Sequence, residues 1–121
     1  MSKTILTVDD SRTMREMLLL ALQDAGYRVL QAEDGMHGLE VLKDKQADVI
    51  ITDINMPRLD GFGFIERVRR DTAHRAVPIL VLTTESDAEK KSRARSAGAT
   101  GWIVKPFHPV KLVDAIRRVA G

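Results

Sequence analysis

The segment DVIITD, residues 48–53, decides the fold of this chain. Its apolar positions are continuous rather than alternating, which is typical of a strand in a parallel sheet that helices cover on both faces. We therefore predict a buried central strand at residues 48–52. Asp53 follows this strand directly, so a carboxylate is expected at the carboxyl end of the strand.

Three more apolar runs end in polar residues in the same way. They are ILTV (5–8) before Asp9 and Asp10, PILVL (78–82) before Thr83 and Thr84, and GWIV (101–104) before Lys105. In a parallel sheet the carboxyl ends of the strands lie at one edge, where ligands bind. The sequence therefore predicts one site that combines three carboxylates, a hydroxyl group and a lysine.

Segments with helical spacing of apolar residues separate the strands. The predicted strands are residues 4–8, 28–32, 48–52, 78–82 and 101–104, and the second is short and polar enough to be an edge strand. The predicted helices are residues 12–25, 35–45, a third that begins near Gly61, 87–97, and a fifth that begins near Pro109. This alternation predicts one α/β domain with a five-stranded, doubly wound parallel sheet, five flanking helices and right-handed crossovers.

The helices differ in how much apolar surface they offer to the sheet. The candidate buried residues are Met14, Met17, Leu18, Ala21 and Leu22 in the first helix, Leu39 and Leu42 in the second, Phe64, Ile65 and Val68 in the third, and Leu112, Val113, Ile116 and Val119 in the fifth. The fourth helix offers only Ala88, Ala94 and Ala97. Because burial stabilises by about 25 cal/mol per Å² of apolar surface, we predict that the fourth helix is loosely anchored and easily moved.

The composition limits the class of protein. The chain has 121 residues, of which 44% are hydrophobic and 30% charged, as expected for one globular domain. It contains no cysteine, no apolar run of about 20 residues and no signal-peptide pattern, so we expect a cytoplasmic protein without disulfides or membrane insertion. The net charge of +2 is spread over the helices and the aromatic residues form no run, so we expect no nucleic-acid partner.

The strand-end residues match the requirements of phosphoryl transfer. Clustered carboxylates repel one another, and a bound cation relieves this repulsion. Mg²⁺ is the expected cation because it prefers oxygen ligands. The histidines lie in unrelated segments and cysteine is absent, so a zinc site is not expected. Asp53 is the candidate nucleophile, because a carboxylate can attack a phosphoryl group and form an acyl phosphate. Lys105 would neutralise charge, and the hydroxyl of Thr83 would donate to a phosphoryl oxygen.

The stretches VDDSRTMR, DVIITDINMPRLDGFGFI, PILVLTTES and GWIVKPF resemble the receiver domains of two-component response regulators, specifically the single-domain chemotaxis type. The resemblance extends over essentially the whole chain and implies the strand order 2-1-3-4-5, for which flavodoxin and CheY are themselves the standard examples. It implies that Asp53 is the phosphoacceptor. It also implies that Mg²⁺ is bound by Asp10, Asp53 and the backbone carbonyl of Asn55, and by Asp9 through a water. The peptide bond that precedes Pro106 would be cis.

The resemblance also assigns roles around this site. Lys105 would pair with the phosphoryl group, and Thr83 would move toward it on activation. Trp102 stands at the position of a rotating aromatic switch residue, where the family usually has Tyr or Phe. Asn55 and Glu85 stand at two variable positions that tune the lifetime of the acyl phosphate, and this pair suggests a short lifetime.

We expect that residues 1–121 form a single receiver domain without an output domain, so that the output is docking. The expected docking surface comprises the fourth helix, the fifth strand and the fifth helix, with Lys90, Lys91, Arg93, Trp102, Lys111 and Arg117. Its basic residues favour an acidic partner. The resemblance implies a histidine kinase as phosphodonor, a flagellar motor switch protein as target, a phosphatase as a further partner, and a monomer. The chain would act as a signalling switch rather than an enzyme, although it would catalyse its own phosphotransfer and autodephosphorylation.

Other functions stay open on the sequence alone. The receiver would serve equally as a phosphate sink or relay intermediate in chemotaxis, or as a regulator outside chemotaxis. A phosphatase of the haloacid dehalogenase type also uses a strand-end aspartate with Mg²⁺, but it needs a DxD motif where this chain has Asp9-Asp10-Ser11. A flavodoxin-like cofactor carrier needs a phosphate-binding loop after the first strand, where two aspartates would repel the phosphate.

Overall fold

The computed structural model describes residues 2–120, in which five strands alternate with five helices. The elements are β1 (Thr4–Val8), α1 (Arg12–Asp24), β2 (Arg28–Ala32), α2 (Gly35–Asp44), β3 (Val49–Thr52), α3 (Gly61–Arg70), β4 (Ile79–Thr83), α4 (Ala88–Ala97), β5 (Gly101–Val104) and α5 (Pro109–Ala120). The predicted boundaries agree with these to within one residue. Within residues 2–120, no helix is long and apolar enough to span a membrane.

The sheet is parallel throughout and has the order β2-β1-β3-β4-β5, which confirms the predicted fold. Backbone hydrogen bonds continue past the strand ends: Asp53 N donates to Val8 O at 2.9 Å, and Lys105 N donates to Thr83 O at 2.8 Å. These bonds extend the ladder by one residue into the predicted site. The sheet therefore positions the first polar residue after β3 and after β5 as firmly as the strands themselves.

The core lies on both faces of the sheet. Alternate residues of one strand point to opposite faces, so Ile50 packs with α2 and α3, whereas Val49 and Ile51 pack with α1 and α5. Phe64 is fully buried on the first face, and Leu18 is 1% exposed on the second. Both faces of β3 are thus covered, as its continuous apolar sequence predicts.

The prediction that Met17 is buried is wrong. Its side chain is 46% exposed, whereas Leu18 and Leu22 are fully buried against the sheet. One residue of helix turns the side chain by about 100°, so position 17 falls beside the face that is centred on positions 18 and 22. Met17 instead borders a surface groove between α1 and the residues Phe107 and Pro109.

Helix α4 buries little apolar surface, as the sequence predicts. Ala94 is its one buried residue, and Ala97 packs against the same core while partly exposed. The guanidinium of Arg93 lies 4.0 Å from the ring centroid of Phe62 in α3. At the other end, Gly98 closes the helix at φ 116°, a left-handed conformation that suits glycine. The predicted mobility of the helix stays a prediction.

Candidate functional site

The carboxyl edge of the sheet brings three carboxylates together. Asp9, Asp10 and Asp53 each offer an oxygen, and these oxygens all lie within 4.8 Å of one another. Asp9 and Asp53 are buried, whereas Asp10 is exposed. The cluster forms because β1 and β3 are neighbours in the sheet and end at the same level. We call Asp9, Asp10 and Asp53 the acidic cluster.

Lys105 reaches the acidic cluster from the end of β5. Its Nζ donates to Asp9 Oδ2 at 2.9 Å and to Asp53 Oδ2 at 2.8 Å. Burial disfavours the charged form of Lys105, but the hydrogen bonds to Asp53 and Asp9 outweigh burial and raise its pKa. Burial also raises the pKa of Asp9, against the opposing effect of the Lys105 hydrogen bond. One ammonium offsets only one of the three carboxylate charges, so the site keeps an excess of negative charge that favours a cation.

Backbone groups fix the orientation of the two buried carboxylates. Asp53 Oδ1 accepts from the amide of Ile54 at 2.6 Å, and Asp9 Oδ1 accepts from the amide of Ser11 at 2.9 Å. Arg15 Nη1 donates to the backbone carbonyl of Asp9 at 2.6 Å. The role of Arg15 was not predicted, because its only signal in the sequence is its position one turn into α1. Because both oxygens of Asp53 are held, this carboxylate is already oriented before any ligand binds.

Thr83 and Trp102 both contact Glu85, the second residue after β4. Thr83 is fully buried, and its Oγ1 accepts from the amide of Glu85 at 3.4 Å, a long and weak hydrogen bond. The indole Nε1 of Trp102 donates to the Glu85 carbonyl at 3.0 Å. Within residues 2–120, no hydrogen bond joins Thr83 to Asp53, so the structure shows the hydroxyl engaged with the β4–α4 loop.

The side chain of Glu85 links two further segments to the site. Its Oε1 accepts from Asn55 Nδ2 at 3.2 Å and lies 3.0 Å from Lys90 Nζ in α4. The hydrogen bonds from Lys90 and Asn55 lower the pKa of Glu85. We call Lys90, Glu85 and Asn55 the Glu85 network. Lys90 was predicted to lie on a docking surface, and its pairing with Glu85 was not predicted.

The loop from Asp53 to α3 is fastened to α2. Arg58 has φ 66°, and its guanidinium donates to both carboxylate oxygens of Asp34, at 2.8 and 3.0 Å. Gly61 begins α3 so close to β3 that an added Cβ would overlap the carbonyl oxygen of Asp53. The Asp34–Arg58 pair was not predicted, since Asp34 reads in the sequence as an ordinary helix cap. Both contacts fix the path of the segment that follows Asp53.

The remaining predicted residues are the cis-proline, Asn55 and the docking residues. The peptide bond between Lys105 and Pro106 is cis. Among the predicted docking residues, Lys91, Lys111 and Arg117 are exposed, Arg93 is exposed but stacks on Phe62, and Lys90 belongs to the Glu85 network. Asn55 is exposed at the mouth of the site. The surface of α4, β5 and α5 is therefore only partly free for a partner.

Comparison with known proteins identifies the family. The model of the response regulator receiver domain matches residues 5–117. This chain is a member of that family. The chemotaxis protein CheY1 of Helicobacter pylori is 41% identical over 120 residues, which cover 97% of this chain and 96% of CheY1. The phosphate regulon transcriptional regulatory protein PhoB of Pseudomonas aeruginosa is 37% identical over 117 residues, or 97% of this chain, but the chain spans only 51% of PhoB.

Solved receiver domains have the same fold. The chemotaxis protein CheY4 of Vibrio cholerae is 45% identical and superposes with a TM-score of 0.95, covering 98% of this chain and 99% of that one. The receiver domain of a sensor histidine kinase from Pseudomonas aeruginosa is 27% identical, with a TM-score of 0.93, covering 100% of this chain and 99% of that one. That structure holds a magnesium ion in its active-site cleft. The chain is a CheY-like receiver domain of a two-component system.

Proposed function

We propose that Asp53 accepts a phosphoryl group from a histidine kinase and that the phosphorylated domain signals by docking to a target protein. The observation that carries this proposal is the environment of one carboxylate. Asp53 ends the central strand, accepts a hydrogen bond from Lys105 at 2.8 Å, and lies within 4.8 Å of oxygens of two more carboxylates. Membership in the receiver family supports the histidine kinase as phosphodonor.

The transfer would use the groups in the positions that the structure gives them. An oxygen of Asp53 would form a bond to phosphorus while the bond from phosphorus to the histidine nitrogen of the donor breaks, and the imidazole would keep the electron pair. Lys105 would pair with the negatively charged phosphoryl group, since phosphoryl transfer depends mainly on positioning and charge neutralisation. Thr83 would break its hydrogen bond with the amide of Glu85, and its hydroxyl would donate a hydrogen bond to a phosphoryl oxygen.

The acidic cluster fits a magnesium ion. Its donors are all oxygens, as Mg²⁺ prefers, and one lysine leaves part of their negative charge unbalanced. Asp10, Asp53 and the Asn55 carbonyl would bind directly, with Asp9 acting through a water. When bound, the ion would supply positive charge that offsets the negative charge of the carboxylates and of the phosphoryl group. The magnesium in the receiver of the Pseudomonas aeruginosa sensor kinase supports this assignment.

We propose a flagellar motor switch protein as the target. CheY1 and CheY4 are chemotaxis proteins, and this chain covers almost the whole of each. The similarity to PhoB favours a second candidate, a regulator outside chemotaxis. The two candidates share the chemistry at Asp53 and differ in the target. A phosphorylation-dependent gain in affinity for a motor switch peptide would favour the first, and unchanged binding would favour the second.

Intact mass after incubation with acetyl phosphate and Mg²⁺ tests the proposal. We expect a metal-dependent gain of one phosphoryl group in the wild type and no gain in Asp53→Ala. Asp60→Asn is a matched control, because Asp60 is an exposed aspartate of the same loop and asparagine preserves its cap on α3. A gain that persists in Asp53→Ala would contradict the assignment. So would the absence of any gain from both acetyl phosphate and a phosphorylated histidine kinase.

A further inference from the structure

We propose that Lys90 is a positioning residue for phosphoryl transfer, although it lies on α4 outside the acidic cluster. It would act by holding the Glu85 carboxylate, which in turn holds Asn55 at the mouth of the site. This inference rests on the proposed function and adds to it a residue that controls the rate. It assigns Lys90 to the phosphoacceptor site rather than to the docking surface.

The geometry of the Glu85 network is the first argument. One carboxylate oxygen, Glu85 Oε1, receives both Asn55 Nδ2 at 3.2 Å and Lys90 Nζ at 3.0 Å. The backbone of Glu85 is held as well, through its amide by Thr83 and through its carbonyl by Trp102. The network therefore joins α4, the β4–α4 loop and the loop after β3. Removing Lys90 would leave the Asn55 amide bonded to a carboxylate that no cation holds.

The charge of the network is the second argument. Glu85 is an anion near a site that must admit an anionic phosphodonor, and Lys90 makes the pair neutral. Without Lys90, the Glu85 charge would repel the donor, and the carboxylate that holds Asn55 would itself be held less firmly. Both effects slow phosphorylation.

A purely structural role for this ion pair predicts a different result. The side chains of Lys90 and Glu85 are 40% and 29% exposed, and exposed ion pairs contribute little to stability. We therefore expect Lys90→Ala to unfold at nearly the same denaturant concentration as the wild type. A change in the phosphorylation rate without a change in stability is the signature of positioning.

The rate of phosphorylation by acetyl phosphate, with Mg²⁺ present, tests the inference. We expect Lys90→Ala to slow the reaction roughly two- to fivefold, the range that a partly exposed ion pair allows, and Lys90→Arg to restore the wild-type rate. Arg95→Ala is the matched control: it removes one positive charge from an exposed position of the same helix. No ion pair involves Arg95 within residues 2–120, so its rate should stay near that of the wild type.

A double-mutant cycle separates the Glu85 network from a general charge effect. In a Glu85→Gln background, adding Lys90→Ala should slow the reaction no further, because the charge that Lys90 offsets is gone. A second readout uses the resting protein without metal: the side-chain amide resonance of Asn55 should shift in Lys90→Ala and not in Arg95→Ala.

Three results would overturn the inference. Equal phosphorylation rates for Lys90→Ala and Arg95→Ala would show that Lys90 acts only as one of the surface charges of α4. A slowing that persists in the Glu85→Gln background would show that Lys90 acts by another route, and an unmoved Asn55 resonance would show that the network does not hold the amide. If the wild type itself accepts no phosphoryl group, the proposed function fails, and the inference fails with it.

Discussion

Arg69 of α3 anchors the carboxyl end of α4, and its replacement tests how this helix is held. Its guanidinium donates twice to the carbonyl of Gly98, at 3.0 and 2.8 Å, and also to the carbonyls of Arg75 at 3.0 Å and Val77 at 2.6 Å. Gly98 closes α4, which buries only one side chain, Ala94. The arginine therefore supplies a contact that apolar packing does not.

The substitution Arg69→Met keeps much of the aliphatic stem and removes every donor to these three carbonyls. A hydrogen bond from a charged donor contributes about 1.5–3 kcal/mol, but the contributions are not additive and carbonyls near the surface regain water. We therefore expect a loss of about 2–4 kcal/mol in the free energy of unfolding. For a domain of this size, that loss lowers the thermal midpoint by roughly 6–15 °C.

Urea unfolding measures the loss, and Arg70→Met is the control. Arg70 is the next residue of the same helix, but it is exposed and its ion pair with Glu66 is 4.0 Å long, so we expect a loss below about 0.5 kcal/mol. Hydrogen exchange should quicken at the amides of Gly98 and Ala99 in Arg69→Met, because the end of α4 opens locally. Similar losses in the two variants, or unchanged exchange at these amides, would refute the anchoring role.

Three further predictions concern the site and its loop. Gly61→Ala should lower the free energy of unfolding, measured in urea, by about 1–3 kcal/mol because its Cβ meets the Asp53 backbone. Gly63→Ala should lower it by less because its Cβ meets a movable side chain. Equal losses in the two variants would contradict this explanation. Hydrogen bonds from Arg58 lower the pKa of Asp34, so the stability from this pair is present above the unfolded-state value of 3.8 and is lost as pH falls through the lower folded value. The free energies of unfolding of the wild type and Arg58→Met should therefore become equal at low pH, and a difference that persists there would contradict the assignment. Mg²⁺ at one hundred times its dissociation constant should stabilise the fold by about 2.7 kcal/mol and so raise the thermal midpoint, and a chelator should lower the midpoint again. A midpoint that does not change with Mg²⁺ would count against the metal site.

The sequence predicts the sheet and the convergence at its edge for a clear physical reason. A strand covered on both faces must be apolar throughout, so DVIIT stands out without knowledge of any contact. Parallel pairing then brings the residues after each strand to one edge, and Asp9, Asp53 and Lys105 meet there within hydrogen-bond distance. Backbone topology alone decides both results.

The contacts that the sequence does not predict depend on side-chain directions and on which helices are neighbours. Arg69 and Arg70 are identical residues in sequence, yet one holds three carbonyls and the other is exposed. Met17 looks as apolar as Leu18, but a rotation of about 100° places it outside the core. Lys90 looks like a free surface charge until the loop after β4 brings Glu85 to it. Composition does not distinguish the two arginines and does not reveal the partner of Lys90.

We expect the weak apolar packing of α4 to allow a phosphoryl group at Asp53 to move this helix. Coupling between two sites typically amounts to 1–3 kcal/mol, and partly exposed ion pairs such as Lys90–Glu85 contribute about 0–1 kcal/mol each. Phosphorylation would replace the single charge of the Asp53 carboxylate by a group of charge roughly −2 beside Lys105, and would draw the Thr83 hydroxyl away from Glu85. Its effect is then of the same size as the contacts that hold the amino-terminal end of the helix. A helix buried through several leucines would resist, because each fully buried leucine contributes about 1.5–3 kcal/mol. The amino-terminal half of α4 should therefore respond first, while Arg69 keeps the carboxyl end in place.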